Sequence, residues 1–276
     1  MSVIRLMSWN MQHQTNNWET VIASDVDVAL LQEAKPPPAH LADKIAIDIS
    51  GEHPALDLPW RAAVVGLSDK VEFTPIQTQP IGGDNREALM VSRLGTLAPA
   101  IVKIRETGEE IVVVSMYSFW ANPISYTKSN WIYADASAHR LLSDLSALIG
   151  RKTDHKIICA GDLNLLFGYG ENGDKYWAGR YASVFDRAAA LGLRFIGPQT
   201  PEGGQQADHW PSELPESSRN IPTFRTNKNR PETATRQLDF VFASRSIADR
   251  IIVRAANSQE EWGPSDHCRV FVDLHA

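Results

Sequence analysis

Cysteine is nearly missing: Cys159 and Cys268 are the two in a chain of 276 residues. They show no metal-ligand spacing with each other, and two cysteines cannot staple a chain of this size. Free thiols in a reducing cytoplasm are the expectation. Long apolar runs are missing too, and none approaches the roughly 20 residues that cross a bilayer. The opening stretch, MSVIRLMSWNMQ, lacks a basic start followed by a long apolar segment. It reads as a strand, not a signal peptide. An excess of positive charge is also lacking: 27 Lys and Arg face 33 Asp and Glu, a formal net charge of −6. That excludes a uniformly basic coat for nucleic acid. It does not exclude a nuclease, because metal ions hold phosphates in an acidic cleft. Internal repeats and low-complexity tracts are absent, and nothing marks a protein partner.

What is present is a soluble globular composition, 43% hydrophobic and 22% charged, able to build a sizeable core. Runs of Val, Ile and Phe between turn residues predict strands at VIRLMSW, DVALLQEA, RAAVVGL, EALMVSR, HKIICAGDLN, TRQLDFVFAS, RIIVRAAN and CRVFVDL. IVKIRETGEEIVVVSMYSF predicts two strands joined at Thr107-Gly108. Helices interrupt them. NNWETVIAS predicts a short one capped by Asn16 or Asn17. DASAHRLLSDLSALIG and WAGRYASVFDRAAALG carry apolar positions at helical spacing and stop at Gly150 and Gly192. Several strand pairs have no helix between them. Sheets packed on each other with helices outside, a mixed α/β sandwich, fit this order. The Pro-rich EAKPPPAH and the polar stretch 198–222 read as loops, so residues 1–276 are expected to form a single domain.

The ends of the strands carry polar groups. The first ends in Trp9-Asn10 and the second in Gln32-Glu33. Another ends in Met116-Tyr117-Ser118, and another in Gly161-Asp162-Leu163-Asn164. Asp239 opens a late strand, and Asp266-His267 precede the last. Each has a plain alternative: Asn10 or Glu33 as a cap, Tyr117 as core, Asp266 as a turn acid. GDLN is more specific, since four fixed letters arise in a chain this long roughly once in several hundred chains. Side chains at i and i+2 of an extended segment share a face. Asp162 and Asn164 would face one target if the extended geometry persists through Leu163.

The ordered set SWN, LLQEA, VVSMYS, AGDLN, PTF, QLDFVFAS and PSDH resembles the endonuclease/exonuclease/phosphatase superfamily with its deoxyribonuclease I-like fold. The resemblance runs from Asn10 to His267. It implies a four-layered α/β sandwich, with two central mixed sheets and helices on the outer faces. It also implies divalent-metal-dependent phosphoester hydrolysis, with Mg²⁺ or Mn²⁺ as cofactor. Glu33 matches the metal-binding glutamate, and Asn10 and Asp266 match residues beside the same ion. Asp162 matches the aspartate that activates the attacking water, with Asn164 at the phosphate. His267 matches the histidine on the scissile phosphate, Asp239 the acid that orients it, and Tyr117 a ring near the phosphate. The chemistry asks for these types. Hard carboxylate oxygens hold the cation, a carboxylate takes a proton from water, and an acid partner fixes a histidine's tautomer.

Two places depart from the pattern. Gln12 stands where abasic-site nucleases of the family carry an aspartate, and no Pro-Asn follows Tyr117. Both speak against an abasic-site role. A nucleic-acid substrate is the leading expectation. Arg225, Lys228 and Arg230 in a basic loop suit a polyanion, and Trp120 and Trp262 are candidates for stacking. A smaller phosphoester (a phosphoinositide, a phospholipid headgroup or a nucleotide) is the alternative. A non-enzymatic phosphate-binding member is the third reading, and the intact acidic set argues against it. GYGENG, residues 168–173, matches G-x-G-x-x-G but does not directly follow its strand, so it reads as a loop and not a dinucleotide site.

Overall fold

The apolar runs become strands because alternate or continuous burial suits Val, Ile and Phe on a pleated surface. The structure, a computed structural model, describes residues 3–42, 45–47, 60–120, 125–127, 134–149, 153–226 and 229–276. In chain order the strands are β1 (Val3–Asn10), β2 (Val28–Ala34), β3 (Ala46–Ile47), β4 (Arg61–Gly66), β5 (Val71–Pro75), β6 (Thr78–Pro80), β7 (Leu89–Val91), β8 (Leu97–Ile104), β9 (Glu110–Tyr117), β10 (Ile157–Asp162), β11 (Leu193–Gly197), β12 (Asp239–Ser244), β13 (Ile251–Ala255) and β14 (Val270–His275). The helices are α1 (Asn17–Ile22), α2 (Ala39–Ala42), α3 (Asp135–Ile149) and α4 (Lys175–Ala190).

Two six-stranded mixed sheets result, in the orders β13-β14-β1-β2-β4-β3 and β11-β12-β10-β9-β8-β5, and β6 pairs with β7 alone. Three apolar clusters fill the layers. The first lies between the sheets and joins Leu6, Leu30, Val64 and Val272 to Val102, Val113, Ile158 and Val241. A second packs Leu141 and Leu145 of α3 and Val184 and Phe185 of α4 on the outer face of the β9-β10-β12 sheet. A third packs Trp18 and Val21 of α1 and Leu41 of α2 against Met7, Trp9, Leu31 and Val65. This is the expected four-layered α/β sandwich. No helix among the described residues is long and apolar enough to cross a membrane.

The register brings the polar strand ends to one edge. Parallel pairing sets Asn10 opposite Gln32, and Tyr117 opposite Asp162. Antiparallel pairing sets Asp239 opposite Asp162. Because β14 runs antiparallel to β1, with Val270 opposite Ser8, the residues just before β14 return to the end of β1. Beneath this edge, buried Gln32 donates from Nε2 to Ser115 Oγ at 2.9 Å, and Ser115 Oγ donates to Leu31 O at 2.7 Å. These bonds tie one sheet to the other under the site.

Several local details differ from the sequence reading. Asn16 makes no capping bond through its side chain, and Asn17 instead donates to Met11 O at 3.0 Å. Helix α4 starts two residues before Trp177, because Asp174 caps it by accepting from Tyr176 N. Gly192 does end the segment after α4, at φ +81°. The expected stop at Gly150 lies outside the described residues, as does Lys228.

Candidate active site

Asp162 closes β10 and is buried. The glycine before it answers to close packing: a Cβ at Gly161 would overlap the Met116 carbonyl oxygen of neighbouring β9. The extended geometry does not persist through Leu163. Asn164 takes a left-handed conformation, φ 51°. Its backbone N–H donates to Asp162 Oδ1 at 2.8 Å, and its side-chain Nδ2 donates to Asp162 Oδ2 at 3.2 Å and to Ser118 O at 3.0 Å. The two side chains therefore meet through a tight turn rather than strand periodicity, and Asn164 serves first to hold Asp162. Asn10 reaches the same carboxylate from the other sheet, donating from Nδ2 to Asp162 Oδ2 at 3.0 Å, while its Oδ1 accepts from Gln12 N at 2.9 Å.

His267 stands against this carboxylate. Its Nε2 lies 3.7 Å from Asp162 Oδ2 and its Nδ1 2.8 Å from Asp239 Oδ2. Three neighbours fix the arrangement. Thr223 Oγ1 accepts from the backbone N–H groups of Leu238 and Asp239 at 3.0 and 3.1 Å. Ser265 Oγ donates to Asn10 O at 2.7 Å and accepts from His267 N at 3.2 Å. Trp9 Nε1 donates to His267 O at 3.0 Å.

Burial pushes the Asp162 carboxyl up to about 7; the charges of Asp239 and Glu33 add to this, while His267 and the Asn164 N–H pull the other way. Burial works against a charged His267, but Asp239 and Asp162 outweigh it and raise the ring to about 10. Burial also raises the Tyr117 hydroxyl far above its usual range, reinforced by Glu33 and Asp162, so it is a neutral donor. It donates to Glu33 Oε1 at 2.8 Å. Burial raises Asp266, and the Glu33 charge adds to that.

The oxygens of Asp162 and Asp239 and a nitrogen of His267 lie within 4.8 Å of one another, a spacing that suits a metal ion. The histidine of this cluster suits the ion poorly. A ring held protonated between two aspartates has no lone pair to give. Glu33 and Asp266 fit a hard divalent cation better. The Glu33 charge raises Asp266, and among the described residues neither forms an ion pair with a Lys or Arg. Oxygen donors with uncompensated charge are what Mg²⁺ or Mn²⁺ takes.

The structure thus joins Asn10, Glu33, Tyr117, Asp162, Asn164, Asp239 and His267 in one network of contacts, with Asp266 beside it. The other expected residues stand apart. Arg225 is engaged internally: its guanidinium donates to Asn229 O at 2.6 Å and Ser265 O at 3.4 Å, and its backbone N–H to Asp266 O at 2.9 Å. It braces the loop that carries Asp266. Arg230 is exposed, 3.8 Å from Glu232. Trp120 is 47% exposed, three residues past the end of β9. Trp262 is buried and donates to Ser265 O at 3.1 Å, which makes it part of the core. Sequence reasoning did not find His13, Trp60, Ser265 or the role of Thr223. Thr223 sat within a quoted motif, PTF, but only the fold shows its hydroxyl under Asp239.

Fold and site together define a class, the two-sheet hydrolases of the deoxyribonuclease I-like kind. The chain belongs to the Endonuclease/Exonuclease/phosphatase family, whose model matches residues 7–267. Members of this family are phosphoester hydrolases. Among solved structures, the chain is similar to the AP endonuclease LMAP from Leishmania major, with 14% identity over 99% of this chain and 88% of that one, TM-score 0.63. It is similar to a 3′-5′ exonuclease from Neisseria meningitidis, with 15% identity over 99% and 100%, TM-score 0.62. It is also similar to the human Nocturnin catalytic domain, with 17% identity over 99% and 93%, TM-score 0.54. Identities this low speak for the fold alone. Comparison with curated proteins gave no match.

Proposed function

We propose that this protein is a single-domain, divalent-metal-dependent phosphodiesterase that cleaves nucleic acid by attack of water on phosphorus. The observation that carries this is the buried Asp162, held by two asparagines and facing a histidine backed by a second aspartate. Asp162 is the general base. Its carboxyl, raised to about 7, is matched to taking a proton from water near neutral pH. Asn10 and Asn164 fix the carboxylate so that one direction is left for the water. His267, kept charged by Asp239, donates to a non-bridging phosphate oxygen and stabilises the charge that gathers there. Tyr117 supplies a neutral hydroxyl between Glu33 and the phosphate. Glu33 and Asp266 would hold Mg²⁺ or Mn²⁺, which supplies charge neutralisation at the phosphoryl oxygens when bound.

The structures from Leishmania and Neisseria are described as an AP endonuclease and an exonuclease, and they support nucleic acid as the substrate class. A second reading, a smaller phosphoester, draws on the internal engagement of Arg225, which removes one cation from the basic loop. The test is a panel of labelled single- and double-stranded DNA and RNA and soluble phosphoesters, with Mg²⁺ or Mn²⁺. Cleavage of a nucleic acid that stops in excess chelator is the expected result. Turnover of the small phosphoesters alone would move the substrate assignment to the second reading. Full activity in chelator would overturn the metal mechanism.

A further inference from the structure

Glu33 is held more tightly than a metal ligand needs to be. It closes the polar end of β2 in a left-handed conformation, φ 51°. Its Oε1 accepts the Tyr117 hydroxyl at 2.8 Å, and its Oε2 lies 2.8 Å from His13 Nε2. His13 and Gln12 are also left-handed, at φ 57° and 51°. Both ends of the Glu33–His13 contact thus sit in backbone that residues other than glycine seldom adopt, and such conformations cluster where geometry serves a task.

The proton on His13 can be placed. Its Nδ1 is buried and, among the described residues, meets no hydrogen-bond partner. A buried N–H without an acceptor costs more than an idle ring acceptor. We therefore place the proton on Nε2, the ring nitrogen that lies 2.8 Å from Glu33 Oε2. Trp60 packs on both donors of Glu33. Its ring lies 4.7 Å from His13 and 5.3 Å, edge-on, from Tyr117. Phe119 stacks behind Trp60 at 5.2 Å and meets Tyr117 at 5.0 Å. Each oxygen of one carboxylate is met at 2.8 Å by a ring-borne polar group, and one indole braces both rings.

We propose that His13, braced by Trp60, is a positioning residue for Glu33. Its Nε2–H fixes the carboxylate's orientation and leaves lone pairs on both oxygens for a divalent cation. The ring acts as a donor to the ligand and not as a ligand itself. A ligating histidine needs an acceptor for its other ring N–H, and among the described residues Nδ1 meets none. The inference rests on the reading that Glu33 holds the cation. It adds a layer to the site that the strand-end motifs do not contain.

The test is binding of Mn²⁺ and Mg²⁺ to the full chain, by calorimetry and by pulsed electron paramagnetic resonance of the bound Mn²⁺. His13→Ala and His13→Leu should weaken both cations by about 10- to 100-fold, the range for losing a partner that orients a ligand. Their metal-free melts should match the wild type, a pattern that a merely structural role would not give. His13→Gln keeps an N–H within reach of Glu33 and should recover most of the affinity. The nitrogen coupling of bound Mn²⁺ should be the same in wild type and His13→Gln. Unchanged affinity in both the alanine and leucine variants overturns the proposal. So does a nitrogen coupling that disappears with His13, because the ring would then be a direct ligand. If the wild type binds no Mn²⁺, or Glu33→Gln binds it equally well, the cation reading at Glu33 fails first and takes this inference with it.

Discussion

Asp162 accepts three hydrogen bonds, from Asn10 Nδ2, Asn164 N and Asn164 Nδ2, in a place where its charge is costly. A fold seeking stability alone would bury an apolar side chain there. Asp162→Asn keeps the shape and removes the basic carboxylate. The cleavage rate should fall by roughly the 10²- to 10⁴-fold typical of losing a general base. Substrate affinity should hold or rise, since a negative charge near phosphate is gone. His267→Ala should damage rate and affinity together. Asp239→Asn with His267→Ala should cost little more than His267→Ala alone, because the two act as a unit. Single-turnover cleavage beside direct binding, on variants checked by melting, reads this out. A near wild-type rate in Asp162→Asn makes GDLN a structural turn. The types and the order of these residues were legible in the sequence, since carboxylates and amides recur at the ends of apolar runs. How Asp162 and Asn164 meet was not, because a left-handed residue 164 leaves no periodic trace. His13 was invisible for the same reason: it lies in a left-handed turn, and its partner Glu33 is distant in the chain.

Elements carry the residues by register, and the links between elements can be tested one hydroxyl at a time. Thr223 lies on no named strand, yet its Oγ1 takes the N–H groups that open β12, and its carbonyl accepts from Cys268 N at 2.9 Å. Thr223→Val preserves shape and orphans two buried donors, each costing about 1–3 kcal/mol. The melting temperature should drop, by roughly 2–4 °C per kcal/mol for a domain near this size. Cleavage should also fall beyond what unfolding explains, because Asp239 no longer holds His267 at 2.8 Å. Thr223→Ser should restore both. Identical melts and rates for the valine and serine variants would remove Thr223 from the site's support. The central strands were readable because burial on both faces writes a continuous apolar run, as in ICAG of β10. The unread strands include β3, β5 and β11, all at sheet edges. VEFTP of β5 shows why: most of it is exposed and it ends in proline, as edge strands allow.

For the whole molecule, the buried charges make stability depend on pH in a direction opposite to that of most salt-bridged proteins. An ordinary aspartate gives up its proton near 3.8, and Asp162 keeps its own to about 7. An ordinary histidine gives up its proton near 6.5, and His267 keeps its own to about 10. In both windows the folded chain holds a proton that the unfolded chain has released, so stability falls as pH rises. The stabilisation from charged His267 is complete below pH 6.5 and lost as pH climbs through about 10. The cost of ionising Asp162 begins near pH 3.8 and is complete above about 7. Melts of the chelator-treated protein should therefore decline steadily from weakly acid to alkaline pH. Asp162→Asn should flatten the part below pH 7 and also shrink the part above it, because the Asp162 charge helps to hold the proton on His267. On the proposed assignment of Mg²⁺ to Glu33 and Asp266, the cation brings positive charge to this cluster, so the gain in melting temperature on adding it should grow with pH. A metal-free melting temperature that stays level or rises from pH 5 to pH 9 would show that the Asp162–His267–Asp239 cluster does not hold its protons in this way, and Asp162 would then be no base poised near neutrality.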